Sequence, residues 1–234
     1  MNKKIAYAVG MFLTMGGIAY ADNVIYIDQI GSSANININQ DGSGNRVGSS
    51  GTDSASSGAS TTLDIDQVGS SNELDYKIYG DTINVTSNIA GNSSDVDIDI
   101  GTTGGSNGGS DDVSVTINAS TNSNTIDVNV GSVTAVDTND VDIDIDITGG
   151  TTNSVTVTEN STASSVTDKI TDIDINGGSN TVTASKSGSS QHDTTLNITG
   201  SSNTMSVTQS GAEASTVDVT TNGSSSSITI TVSD

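Results

Sequence analysis

The 234-residue chain has no cysteine, no proline and no tryptophan, one phenylalanine, one histidine and only six lysines and arginines. Each shortage excludes something. Without cysteine there are no disulfides, no thiolate metal sites and no cysteine nucleophile. At ordinary usage a chain this long would carry roughly twelve prolines. Their absence fits a backbone whose N–H groups are nearly all committed to hydrogen bonds. Hydrophobic residues make up 31% and aromatics 3% of the chain, too little bulk to fill the thick core of an ordinary enzyme domain. Against the six basic residues stand 28 acidic ones, a net charge of −22, which repels nucleic-acid phosphates and anionic lipid. Two options remain: disorder, or a thin, repetitive β structure.

What is present begins with an export signal. Residues 1–21 read MNKKIAYAVGMFLTMGGIAYA. Lys3 and Lys4 give a positive start, Ile5 to Ile18 form a mainly apolar stretch, and Ala19-Tyr20-Ala21 supplies the small residues of an A-x-A cleavage site. The apolar stretch falls short of the about 18 residues that a membrane anchor needs. Cleavage after Ala21 is therefore expected, with a product that is secreted, extracellular or at the cell surface and has no later transmembrane segment. Loss of the two lysines takes the net charge from −22 to −24.

After residue 21 the chain alternates. Short period-two runs recur between Gly/Ser/Asn clusters, among them Val96-Asp-Ile98-Asp-Ile100, Val113-Ser-Val115-Thr-Ile117, Val141-Asp-Ile143-Asp-Ile145-Asp-Ile147 and Ile228-Thr-Ile230-Thr-Val232. Alternation with β-branched residues is the strand signal, and a disordered chain has no reason to keep it. The turn glycines Gly177, Gly200 and Gly223 are 23 residues apart, a period that points to a β-solenoid. The expected fold is all-β, about nine strand–turn–strand coils and roughly 45 Å long at about 4.8 Å per layer. Residues 22–47 read as a first repeat, 48–60 as a protruding Ser/Gly-rich loop and 61–234 as the remaining repeats, with a second loop at 101–112.

Four of the five glutamines sit in Gln-x-Gly: Gln29-Ile-Gly31, Gln40-Asp-Gly42, Gln67-Val-Gly69 and Gln209-Ser-Gly211. Asparagines follow the glycines at Asn35, Asn45 and Asn72, and Asn203 closes a similar turn after Gly200. Over residues 24–80 this order resembles the curlin repeat of bacterial curli fibre subunits, more weakly beyond. The resemblance implies a secreted subunit of extracellular, amyloid-like adhesive fibres in biofilm. It also implies export through an outer-membrane pore, and partners that are other copies or a nucleator. Inward amides would then hydrogen-bond from coil to coil, although from Ile83 to Leu196 no Gln-x-Gly occurs.

Other chemistry is sparse. Gly104-Gly-Ser106-Asn-Gly108 matches the G-x-S-x-G elbow, but no helix pattern follows it. The only histidine, His192, falls in Ser189-Ser-Gln-His-Asp193, which reads as a polar turn. No enzyme and no catalytic residue is expected. Asp95, Asp97 and Asp99, and Asp140, Asp142, Asp144 and Asp146, alternate with apolar residues and so belong on outer faces. Stacked carboxylates repel, and calcium would relieve them. These aspartates are the candidates for calcium, with a solvated face that resists sideways sticking as the plainer reading; no other cofactor is indicated. Thr156-Val-Thr158, Thr181-Val-Thr183 and Thr229-Ile-Thr231 resemble the ladders of ice-binding solenoids, yet aspartate at like positions elsewhere argues against a flat plane. The expected mechanism is strand addition at Val24–Ile27 and Ile228–Val232. The alternative is a monomeric acidic rod acting as adhesin or calcium-dependent binder.

Overall fold

The computed structural model describes residues 23–48, 53–101, 112–131, 140–160, 169–188, 191–211 and 215–233. The signal segment and the Gly104–Gly108 match lie outside these residues. The chain opens with β1 (Asn23–Ile25), β2 (Asp28–Ile30), β3 (Ser33–Asp41), β4 (Asn45–Val47) and β5 (Ser54–Ser57). Longer strands follow: β6 (Ser60–Gly69), β7 (Asn72–Tyr79), β8 (Thr82–Gly91), β9 (Ser94–Ile100), β10 (Asp112–Thr121), β11 (Ser123–Val130) and β12 (Asp140–Thr148). The last are β13 (Thr152–Asn160), β14 (Lys169–Asn176), β15 (Ser179–Ser187), β16 (His192–Thr199), β17 (Ser202–Ser210), β18 (Thr216–Asn222) and β19 (Ser225–Ser233).

Every pairing among the described residues is parallel, and from β5 onward consecutive strands alternate between two sheets. One sheet runs β1-β4-β7-β9-β11-β13-β15-β17-β19, with β2 and β5 beside its first strands; the other runs β3-β6-β8-β10-β12-β14-β16-β18. The fold is thus a parallel β-solenoid, each coil lending one strand to each sheet. One sheet's path has nine strands and the other sheet eight. The coils are unequal, with equivalent residues as far as 30 apart, such as Ser94 and Asn124.

Alternation sets the inside. The column Val47, Leu74, Val96, Ile126, Val155, Val182, Met205 runs in register through one sheet. Ile38, Ile65, Ile117, Ile145, Ile173 and Leu196 share a column in the other, with Ser87 between Ile65 and Ile117. Most of these side chains are fully buried, each contributing about 1.5–3 kcal/mol relative to exposure. The core is one side chain thick from each sheet, so β-branched residues of modest volume suffice.

Two expectations are corrected here. Ser54–Ser57, read as part of the 48–60 loop, form a strand that pairs with Tyr76–Tyr79, and Ser54 and Ser56 are fully buried. Small hydroxyls fit where Tyr76, also buried, fills the neighbouring layer. His192, read within a polar turn, opens β16 and is buried too. The 101–112 loop is reduced at its end, since Asp112 already pairs with Thr82; residues 102–111 lie outside the described set.

Candidate functional site

The corner where the eight-stranded sheet hands over to its partner is tight, and one column marks it. Asn23, Asn45, Asn72, Ser94, Asn124, Asn153, Asn180, Asn203 and Ser226 are neighbours in register. Asn23 donates from Nδ2 to Asn45 Oδ1 at 2.9 Å, and Asn45 to Asn72 at 3.2 Å. Asn72 donates to the Ala90 carbonyl at 3.1 Å, and Ser94, which follows it in the column, donates from Oγ to Asn124 Oδ1 at 2.7 Å. Asn124 donates to Asn153 at 2.7 Å, Asn153 to Asn180 at 2.8 Å, and Asn180 to Asn203 at 2.9 Å. From Asn45 to Asn203 the column is buried. The glycine three residues earlier makes room: a Cβ on Gly69 would overlap the Gly42 carbonyl, and one on Gly177 the Asn153 amide.

Of the expected motif residues, Gln40, Gly42, Asn45, Gln67, Gly69 and Asn72 come together at this corner. Gln67 Nε2 donates to Gln40 Oε1 at 2.9 Å, and Gln40 Nε2 to the Asn23 carbonyl at 2.8 Å. That glutamine ladder has two rungs, because Ile89 follows Gln67 in register. Asn203 belongs to the asparagine column. Gln29 and Gln209 do not join Gln40. Through Ser56, Ile78, Ile100, Val130, Glu159 and Lys186 they share a column at the opposite corner, where Gly31 and Gly211 donate to the carbonyls of Ser57 and Ser233. Asn35 is exposed and pairs with Thr62 on the outer face of the other sheet. Gly31 therefore turns a different corner from Gly42 and Gly69. The sequence reading missed Asn23, Asn124 and Asn153; the spacing Thr121-x-x-Asn124 and Gly150-x-x-Asn153, like Gly69-x-x-Asn72, carries the signal.

The far-corner column hides a polar cluster in the core. Glu159, Lys169, Thr171, Lys186, His192 and Gln209 are all fully or almost fully buried. Lys186 Nζ lies 3.3 Å from Glu159 Oε1 and donates to the carbonyls of Lys169 at 3.0 Å and Asp193 at 2.7 Å. Thr171 Oγ1 donates to the same Glu159 oxygen. Lys169 Nζ and both ring nitrogens of His192 have no hydrogen-bond partner. Burial pushes Lys169 down to about 8, Lys186 below its usual value and His192 down to about 4, the two lysines adding to the effect on His192. Opposite charges in adjacent layers favour this register over a slipped one.

The aspartates lie outside, as alternation demands. Asp95, Asp97 and Asp99 are on β9 in one sheet and Asp140, Asp142, Asp144 and Asp146 on β12 in the other, so the two sets are on different faces. Asp75, Asp97 and Asp127 stack directly. Partial burial first, then neighbouring carboxylates, raises Asp75 to about 7 and Asp97 to about 6. Asp144 and Asp172, in register, are raised for the same reasons. Elsewhere amides intervene: Asn88 donates to Asp66 at 2.8 Å, Asn129 to Asp99 at 3.1 Å and Asn197 to Asp174 at 2.7 Å. Among the described residues no group of three or more His, Asp or Glu is placed to hold a metal ion, and no helix is long and apolar enough to cross a membrane.

Among the described residues, β1 and β19 terminate one sheet, β3 and β18 the other. Inward residues of β19 are left uncovered: Ile228 is 43% exposed, Ile230 46% and Val232 48%, whereas Met205, Val207 and Gln209 one coil earlier are at most 1% exposed. The chain matches no family model, no curated protein and no solved structure.

Proposed function

We propose that this solenoid is a secreted, non-enzymatic structural or adhesive protein, similar to curli subunits, that adds end to end into extracellular amyloid-like fibres. The carrying observation is the register at the two ends. Extending the columns by one coil sets Ser226, Ile228, Ile230 and Val232 of one copy against Asn23, Ile25, Ile27 and Gln29 of the next. In the other sheet Val217 and Val219 meet Ile36 and Ile38. Apolar layers thus continue across the junction, and a serine followed by an asparagine already occurs inside the rod at Ser94 and Asn124. Open parallel edges supply the hydrogen-bonding template. Net negative charge opposes side-by-side contact, and salt screens that repulsion. Export through an outer-membrane pore and seeding by a nucleator belong to the same proposal through the likeness to curli.

The test is incubation of the chain beginning at Asp22, followed by amyloid-dye fluorescence and sedimentation at low and high salt. Fibres are expected, faster in high salt, and Ile230→Lys should abolish them while leaving the circular dichroism unchanged. A chain that stays monomeric for days at high salt refutes end-to-end addition and leaves the acidic-rod reading. Calcium addition discriminates further: an unchanged melting temperature removes support for calcium-dependent binding.

A further inference from the structure

The threonine pairs acquire a different meaning once the coils are in register. Seen from outside, β13, β15, β17 and β19 present Ser154-Thr156-Thr158, Thr181-Thr183-Ser185, Thr204-Ser206-Thr208 and Ser227-Thr229-Thr231 as four aligned rows. Eight of these twelve side chains are threonine and four are serine. The flanking outward positions are Thr152, Ser179, Ser202 and Ser225 on one side and Asn160, Ser187, Ser210 and Ser233 on the other. No outward residue of these four strands is ionisable. The aspartates that share these columns, Asp28, Asp75, Asp95, Asp97, Asp99 and Asp127, all stand in earlier coils, so they border the array without interrupting it. Glu159 and Lys186, the charged residues of β13 and β15, point into the core.

We propose that this neutral hydroxyl face binds ice. In parallel strands the hydroxyls and methyls form a net of about 4.8 Å between rows by about 6.6 Å along each strand, regular enough to match the repeat of an uncharged crystalline lattice. β-branching holds threonine to few rotamers, so its methyl and hydroxyl are ordered before contact. Charge selects the partner. A second copy would bring another −22 charges towards this one, and a charged polymer or ion finds nothing on the face to pair with. A neutral lattice of water meets neither obstacle.

The test measures ice growth from supercooled solution and ice recrystallisation with the purified chain, beside Thr183→Asp and Thr199→Asp. Thr183 is central in the array; Thr199 is exposed on the other sheet, so it controls for the added charge. Inhibition of ice growth by the parent chain, retained by Thr199→Asp and lost in Thr183→Asp with unchanged circular dichroism, is the expected result. Absence of inhibition in the parent overturns the proposal, as does equal loss in both variants. Sedimentation completes the test: a dimer that Thr183→Asp dissolves would show the face to be covered by a second copy, and the ice assignment would fall.

Discussion

Replacing Asn153 by alanine tests whether the amide column holds the rod together. Asn153 is 1% exposed; it accepts from Asn124 at 2.7 Å and donates to Asn180 at 2.8 Å and to the Gly149 carbonyl at 3.3 Å. Alanine orphans a donor on Asn124 and an acceptor on Asn180, both buried. At about 1–3 kcal/mol for each unsatisfied group, the loss should be about 3–4 kcal/mol. Because Asn124 retains only a 3.5 Å contact to the Thr121 carbonyl, little is recovered locally. For a chain of this size such a loss lowers the midpoint by about 6–16 °C. Asn23→Ala is the comparison, since Asn23 is half-buried in the first described strand and donates to Asn45 and to the carbonyl of exposed Asp41; its cost should stay at about 1 kcal/mol. Asn153→Ser should fall between them, because Ser94 already serves in the same column. Thermal and urea unfolding followed by circular dichroism read all three. Equal midpoints for Asn153→Ala and Asn23→Ala would refute the argument that the column stabilises through mutual burial.

Three further outcomes follow from the same structure. Gly91 has φ +152° and a Cβ there would fall on the Gly69 carbonyl, so Gly91→Ala should cost about 1–3 kcal/mol in urea unfolding. Lys169 is buried without a hydrogen-bond partner and lowered to about 8 from 10.5. Its charge therefore costs stability below pH 8, and that cost disappears as pH rises to 10.5. Lys169→Met should stabilise by about 3 kcal/mol at neutral pH, with no gain above pH 10.5, as read by melting across that range. Asp75 and Asp97 are raised from 3.8 to about 7 and about 6, so the folded state holds more protons than the unfolded one between those values. Their contribution to stability falls as pH climbs from about 4 to 7. Asp75→Asn should accordingly raise the melting temperature at pH 7 and leave it unchanged near pH 4.

Period-two alternation was enough to read the strands, the inward Val and Ile, and the outward aspartates. The limits came from three physical sources. Ser54–Ser57 has no large apolar residue, so nothing local announces a strand; only Tyr76 in the next layer explains it. Glu159, Lys186 and His192 carry polar side chains that composition assigns to solvent, and burial requires a partner from another coil that spacing does not reveal. The columns themselves need register, and the residues between equivalents vary from 22 to 30. That variation hides which glutamines and which threonines share a column.

The unequal coils share one more property. Asn180 to Asn203 spans 23 residues, while Ser94 to Asn124 spans 30, and the added length falls between Gly101 and Asp112 at the far corner, not beside the asparagines. The tight corner acts as a ruler and the far corner as a margin where length is free. New sequence can accumulate at that margin without resetting the ruler, so the rod can diversify its outer edge while every copy keeps ends of the same pitch.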